Sequence, residues 1–182
     1  MKHLAWAILL LNVGVAGVYA QQPRVNMTLS GTTAPSTVNL QTGTDTSEYT
    51  LAGSGALGQF TLRVVSAGTA YPQASSACSG IYFPILAGEG VLRSEDGSLL
   101  KLNLTGGSDC IDPVAGEAHC IRTFQIVGGT GRFKNASGST LNLIMTVAPV
   151  VPTNLQFFAV TGELTGTISG VDNEDSSQRA EH

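Results

Sequence analysis

Apolar and polar residues alternate along much of the chain, which is typical of β-strands with one buried face. Three runs show the pattern most clearly. Their apolar members are Phe60, Leu62 and Val64; Leu100, Leu102 and Leu104; and Leu141, Leu143, Met145 and Val147. After residue 20 no segment combines the period of an amphipathic helix with capping residues. The pattern therefore predicts an all-β protein.

Shorter runs add further strands. They are Glu48–Gly53, Gly80–Leu86, Cys120–Val127, Leu155–Thr161 and Leu164–Ser169. Pro84 predicts an edge position or a bulge, and Asp96-Gly97 predicts a type I′ hairpin turn. The total is about eight to nine strands joined mostly by short turns. An antiparallel barrel is favoured because closure removes the sheet edges, and a β-sandwich is the alternative.

The chain divides into four segments. Residues 1–20 have a positive start, an apolar run and small or apolar residues near Ala20, which predicts a secretory signal rather than a membrane anchor. Residues 21–46 are rich in Thr, Ser, Asn and Pro and suggest a polar linker or a loose first strand. Residues 47–170 form the predicted barrel domain, and residues 171–182 suggest a disordered acidic tail.

The charge of the chain narrows the classes of partner. The chain has nine Lys and Arg residues and thirteen Asp and Glu residues, which gives a net charge of −4. Such a balance argues against nucleic acid and, once the signal is removed, against membrane surfaces. We expect an extracellular or periplasmic protein.

The cysteines suggest a disulfide, which export would permit. Cys110 and Cys120 flank a nine-residue segment with Pro113 and Gly116. We expect them to form a bridge and Cys78 to be the odd thiol, although the other pairings stay open. His119 adds a third potential zinc ligand, but no fourth accompanies it, so we predict no metal site.

A glycine-rich segment, "IVGGTGRFKNASGS", covers residues 126–139. It has the spacing of neither a Walker loop nor a dinucleotide fingerprint, and a strand-like run follows it instead of a helix. We therefore predict a structural turn in which Gly128, Gly129 and Gly131 allow unusual backbone geometry. Phe133 would fold back onto the core, and Gly138 would bend the returning strand.

This segment resembles the "GGTG-basic-Phe, then Ala-x-Gly" turn of the dirigent and allene oxide cyclase barrel superfamily, especially of exported bacterial proteins with that barrel. Residues 53–62, 88–106 and 157–170 resemble other strands of such proteins. The resemblance implies an eight-stranded antiparallel barrel with a small-molecule cavity, a bacterial source and an architectural turn. No catalytic residue matches.

By strand alternation, two charged residues lie on the same face as apolar residues. Arg122 falls on the face of Phe124 and Ile126, and Glu163 on the face of Phe157 and Ala159. A charge on an apolar face pairs within the protein or orients a ligand, and pairing is the more common case. Arg63 and Tyr82 are weaker ligand-binding candidates.

Three functions remain. The first is a non-enzymatic barrel that binds or orients a small apolar molecule, and it rests on the barrel pattern, the cavity expected of eight strands and the lack of a catalytic constellation. The second is a cofactor-independent isomerase or cyclase, in the manner of allene oxide cyclase. The third is a structural extracellular module, which a lumen filled with side chains would favour. None needs a cofactor, and self-association stays open.

Overall fold

The computed structural model describes residues 24–138, 140–151 and 154–172. The expected signal at residues 1–20 and nearly all of the expected tail lie outside the described residues. Eight strands and one short 3-10 helix follow one another along the chain. The strands are β1 (Arg24–Pro35), β2 (Thr44–Gly55), β3 (Gly58–Thr69), β4 (Ile81–Ser94), β5 (Leu99–Asp112), β6 (Glu117–Gly129), β7 (Leu141–Val151) and β8 (Asn154–Thr167).

The strands form one closed barrel. Each strand pairs antiparallel with the next along the chain, and β8 pairs antiparallel with β1 to close the sheet. The predicted eight-stranded antiparallel barrel is therefore confirmed, and the alternative of a β-sandwich is excluded.

Two of the strands are longer than the sequence suggested. The run at Gly80–Leu86 continues up to the Asp96-Gly97 turn as β4, and the runs at Leu155–Thr161 and Leu164–Ser169 join as β8. Near Pro84 the register between β3 and β4 shifts at Ala67 and Gly68. Pro84 therefore lies beside a bulge, one of the two positions expected for it, because a closed barrel has no edge strand.

The first strand corrects the domain boundary. Residues 21–46 were expected to be a linker or a loose strand, but β1 begins at Arg24 and pairs with both β2 and β8. Val25, Met27 and Leu29 point into the barrel and are buried. The barrel therefore starts well before residue 47. The pattern was hard to see because only three inward residues are apolar before Gly31 and Thr33 interrupt the series.

Alternate residues of every strand fill the lumen. All eight strands contribute to one cluster of buried apolar side chains. Leu62, Leu92, Leu100, Phe124 and Leu143 have no exposed surface. The predicted inward faces of the three clearest runs are all buried, so burial of this apolar surface is the main favourable contribution to folding.

The Asp-Gly hairpin forms with a different turn from the one expected. Gly97 has a φ of +84°, but no residue other than glycine has positive φ among the described residues, so Asp96 does not. The Gly97 amide donates to the Ser94 carbonyl. The turn is therefore of type I followed by a left-handed glycine, not type I′.

Asp96 organises this turn. The Ser94 hydroxyl, the Ser98 amide and the Ser98 hydroxyl all donate to its carboxylate. These hydrogen bonds lower the pKa of Asp96 to about 2, and the one from Ser94 contributes most to this shift. Arg132, in the β6–β7 connection, lies 3.7 Å from the same carboxylate. The two connections are thus linked at one end of the barrel.

The glycine-rich segment forms the β6–β7 connection. Gly128 and Gly129 end β6, and Gly131 begins a single 3-10 turn, Gly131–Phe133, at a φ of +57°. Phe133 has no exposed surface and closes this end of the lumen. Gly138 lies just before β7 rather than within it, where the Thr167 carbonyl would be 2.7 Å from any Cβ. Its role is close approach of β8, not a bend in β7.

Gly129→Ala is expected to destabilise the protein. Its Cβ would clash with the Phe133 carbonyl and lie 2.7 Å from the Leu99 carbonyl. Such overpacking costs about 1–3 kcal/mol, which lowers the melting temperature by roughly 2–12 °C. Gly106→Ala is the matched control, because nothing lies within 4 Å of its added Cβ. Equal melting temperatures of the two variants, measured by calorimetry, would contradict this account of the turn.

Candidate functional site

Arg122 is the most deeply buried charged residue of the candidate site. It points inward from β6, between Phe124 and Cys120, with 1% of its surface exposed. Its Nε donates to the Ser66 hydroxyl at 3.2 Å. One terminal nitrogen donates to the Tyr49 hydroxyl at 2.8 Å, and the other to the carbonyls of Ile121 and Ser108. Every nitrogen of the guanidinium therefore has a protein partner.

Asp109 neutralises this arginine. Both of its carboxylate oxygens accept hydrogen bonds from Arg122, at 2.7 and 3.1 Å. Burial by itself lowers the pKa of Arg122, but the pKa is raised overall, and Asp109 contributes to this through its negative charge and its hydrogen bonds. Arg122 is therefore charged at any physiological pH.

Tyr49 completes the cluster from the other side of the lumen. The guanidinium carbon of Arg122 lies 5.4 Å from the centre of its ring, within the range of a cation–π contact. Burial raises the pKa of Tyr49. Its hydroxyl is thus neutral and acts here as the acceptor for Arg122. We call Arg122, Asp109, Tyr49 and Ser66 the lumen polar cluster.

A small cavity lies above this cluster. It has a volume of about 110 Å³ and opens at the end of the barrel where β1–β2 and β3–β4 connect. Its lining includes Arg122, Asp109 and Ser66 below, Asp45 and Ser47 above, and Phe83 and Ile85 at the side. It is smaller than the pockets of about 300 Å³ or more that hold drug-sized ligands.

The predicted disulfide is wrong. Cys110 bonds to Cys78, with the two Cα atoms 5.6 Å apart, and Cys120 is a buried free thiol. Pairing of β5 with β6 places Cys110 opposite His119 and Asp109 opposite Cys120. Cys110 and Cys120 therefore point to opposite faces of the sheet, because adjacent strand positions alternate.

Cys120 lies next to the lumen polar cluster. Burial raises the pKa of its thiol, and the negative charge of Asp109 raises it further. The thiol is therefore protonated at neutral pH, which makes it a poor nucleophile. Its position shows a packing role within the lumen.

The other predicted site residues do not join Arg122. Glu163 is exposed on the outside of β8, so its expected place on the inward face is wrong. Arg63 is also outside, 74% exposed, with Glu48 at 3.9 Å. Tyr82 is half-buried in β4, beside the disulfide and opposite Cys110. Of the four candidates, only Arg122 reaches the lumen.

Asp109 was missed because a bulge reverses the alternation of β5. Leu100, Leu102 and Leu104 point inward, but the register shifts between Leu104 and Gly106. After the shift the odd-numbered residues Gly107 and Asp109 point inward. The consecutive Gly106 and Gly107 were the available signal, since glycine within a strand often indicates a bulge.

Within the described ranges, no group of three or more His, Cys, Asp or Glu side chains is placed to hold a metal ion. His119 is exposed on the outer face. In the same part of the chain, no helix is long and apolar enough to cross a membrane.

No protein-family model matches the chain, and neither does a curated protein or a solved structure. The site must therefore be interpreted from its own geometry.

The thiols provide a direct prediction. We expect a disulfide-linked peptide that contains Cys78 and Cys110, and one thiol that reacts only after unfolding. The bridge spans 32 residues, so reduction should lower stability by about 3–4 kcal/mol on the chain-entropy model. Peptide mapping and thiol titration with and without denaturant measure this. A peptide that links Cys110 to Cys120 would refute it.

The ion pair provides a second prediction. Asp109→Asn leaves the buried Arg122 without a counter-charge and should cost about 3–5 kcal/mol. Arg122→Met should cost less, because Asp109 is 23% exposed and can be hydrated at the mouth. The double variant should recover part of the loss of Asp109→Asn. Denaturant unfolding of the three variants measures the order, and a neutral Asp109→Asn would contradict the pairing.

Proposed function

We propose that this protein is a secreted, non-enzymatic β-barrel module that meets its partner through the outer surface of the barrel. The observation behind this proposal is the filled lumen. Buried side chains from all eight strands occupy it, and the cavity beside Arg122 measures about 110 Å³. Among the three functions considered from sequence, a filled lumen favours the structural or interaction module.

The lumen polar cluster supports the same proposal. Arg122 is neutralised by Asp109, and its nitrogens donate to groups of the protein itself. A ligand-binding arginine keeps donors free for the ligand, whereas a structural one uses them internally. The cluster therefore acts as a polar layer that joins β2, β3, β5 and β6.

The disulfide supports secretion. A bridge between Cys78 and Cys110 persists in oxidising compartments and is rare in reducing ones. Together with the predicted signal at residues 1–20, it favours an extracellular or periplasmic location.

A second candidate function is the binding of a small molecule at the mouth. The cavity there combines the apolar Phe83 and Ile85 with the carboxylates of Asp45 and Asp109. The resemblance of the glycine turn to dirigent and allene oxide cyclase barrels favours this candidate as well. The size of the cavity limits the ligand to a small group rather than a whole fatty-acid-derived chain.

One experiment separates the two functions. The secreted protein is titrated by calorimetry with benzylamine, a small aromatic cation that suits the apolar side chains and carboxylates of the mouth. We expect no saturable binding to the parent or to the two mouth-filling variants, Ser47→Trp and Thr69→Trp. Saturable binding to the parent that both variants abolish, with unchanged melting temperatures, would refute the surface module in favour of the mouth site.

A further inference from the structure

Exposed apolar side chains gather around the mouth of the barrel. Four connections lie at this end, because every second connection between consecutive antiparallel strands returns to the same end. They join β1 to β2, β3 to β4, β5 to β6 and β7 to β8. Each has an exposed apolar side chain in it or directly before it. We call this set the apolar rim: Val38, Tyr71, Val114, Val150 and Val151.

The connections at the other end of the barrel differ in composition. They contain Leu57, which is buried, and the charged residues Glu95, Asp96, Arg132 and Lys134. In the described part of these connections no large apolar side chain is exposed. Single exposed apolar residues are ordinary on a protein surface, whereas a set that occupies all four connections of one end is typical of a contact surface.

Val114 lies at the tip of a tight turn between β5 and β6, with 96% of its surface exposed. The Asp112 carboxylate accepts hydrogen bonds from the amides of Val114 and Ala115, at 2.8 and 3.0 Å. The Gly116 amide donates to the Asp112 carbonyl, and Gly116 has a φ of +71°. The turn therefore presents an apolar side chain to the outside in a fixed position.

Two further connections hold their apolar residues in the same way. The Val38 amide donates to the Ser36 hydroxyl at 3.0 Å, and the Thr69 hydroxyl donates to the Tyr71 carbonyl at 2.9 Å. Tyr71 is 81% exposed, and the disulfide at Cys78 fastens its connection to β5. A surface that is ordered in advance loses little conformational entropy when a partner covers it, which favours binding.

The charges beside the apolar rim are acidic. The four connections themselves contain no charged residue. Asp45, Asp112 and Glu117 are exposed at the strand ends next to them, whereas Glu48, farther along β2, pairs with Arg63. Because complementary charges guide and select a partner, a surface that suits this end combines apolar with basic side chains.

We propose that the apolar rim binds a protein partner that presents apolar and basic side chains, which rests on the proposed function and states which part of the outer surface meets the partner. A membrane suits this end less well. Segments that lie in a lipid surface combine apolar residues with Lys or Arg, and the four connections contain neither. Anionic lipids would also meet the acidic strand ends.

The width of the barrel allows one partner to cover the whole rim. Eight strands about 4.8 Å apart and tilted by about 40° make a barrel roughly 16 Å across. A standard interface buries about 800 Å² of accessible surface on each partner, which corresponds to a patch roughly 30 Å across. Because the four connections surround one end, they face the same direction and can contact a single partner together.

The test uses a labelled peptide of about 15 residues that forms an amphipathic helix of Leu and Lys, and a second peptide with Glu in place of every Lys. Fluorescence anisotropy measures binding of each peptide to the secreted protein. We expect saturable binding of the Leu–Lys peptide and none of the Leu–Glu peptide. Val114→Ser and Tyr71→Ser should each raise the Kd about threefold or more.

Two further variants separate apolar contact from charge. Val127→Ser is the matched control, because Val127 is more than half exposed on β6 near the other end of the barrel, and it should leave the Kd unchanged. Glu117→Gln should raise the Kd and make binding less sensitive to salt, since it removes one exposed charge beside the rim. Melting temperatures show whether each variant is folded.

Three outcomes overturn the proposal. The first is a parent that binds neither peptide or binds both equally, and the second is a Kd that Val127→Ser raises as much as Val114→Ser does. The third is sedimentation of the parent with phosphatidylcholine vesicles that Val114→Ser abolishes, which would assign the rim to a membrane. Failure of the proposed function is a different result, because it shows itself as benzylamine binding at the mouth.

Discussion

Closure of the sheet by β8 against β1 is the constraint on which the rest of the structure depends. A closed sheet has no edge, so each strand divides its residues between one enclosed face and one outer face. The enclosed face must be filled, and here side chains from all eight strands fill it. A barrel of this size has little room left for a ligand once leucines and phenylalanines occupy its axis.

The lumen polar cluster shows how a charge is held within such a barrel. Arg122 is enclosed by four strands and balanced by Asp109, with Tyr49 and Ser66 as further partners. Burying two charges is costly unless their hydrogen bonds are satisfied, and here they are. Since the guanidinium and the carboxylate of Asp109 bind each other, the polar groups left for a ligand at the mouth include the carboxylate of Asp45 and the hydroxyl of Ser47.

Most of the fold follows from alternation in the sequence. The inward residues of β3, β5 and β7 were predictable because their outward neighbours are polar. β8 misled for the opposite reason: Phe157 and Ala159 are apolar but point outward, so Glu163 was assigned to the wrong face. β1 was underestimated because its inward positions after Leu29 are Gly31 and Thr33, which do not continue the apolar half of the alternation.

The site was less predictable than the fold. Arg122 could be found because it lies on the same face of one strand as Phe124 and Ile126. Its partner could not, because the bulge before Gly106 shifts the phase of β5. The disulfide failed for a related reason: proximity in sequence suggested Cys110 and Cys120, whereas the face of the sheet decides which thiols meet. Alternation describes the residues of a single strand. A bulge or a disulfide depends on contacts between strands, which the alternation of one strand does not reveal.

For an exported chain, as proposed above, the bridge between Cys78 and Cys110 bears on the order of folding events during export. The two cysteines bracket the β4–β5 hairpin, whose strands follow each other in the sequence and pair through local contacts. A chain that crosses a membrane from its N-terminus presents both of them before Cys120 follows. The native bond can therefore close before Cys120 is available to mispair, and the third thiol is then buried as β6, β7 and β8 complete the barrel.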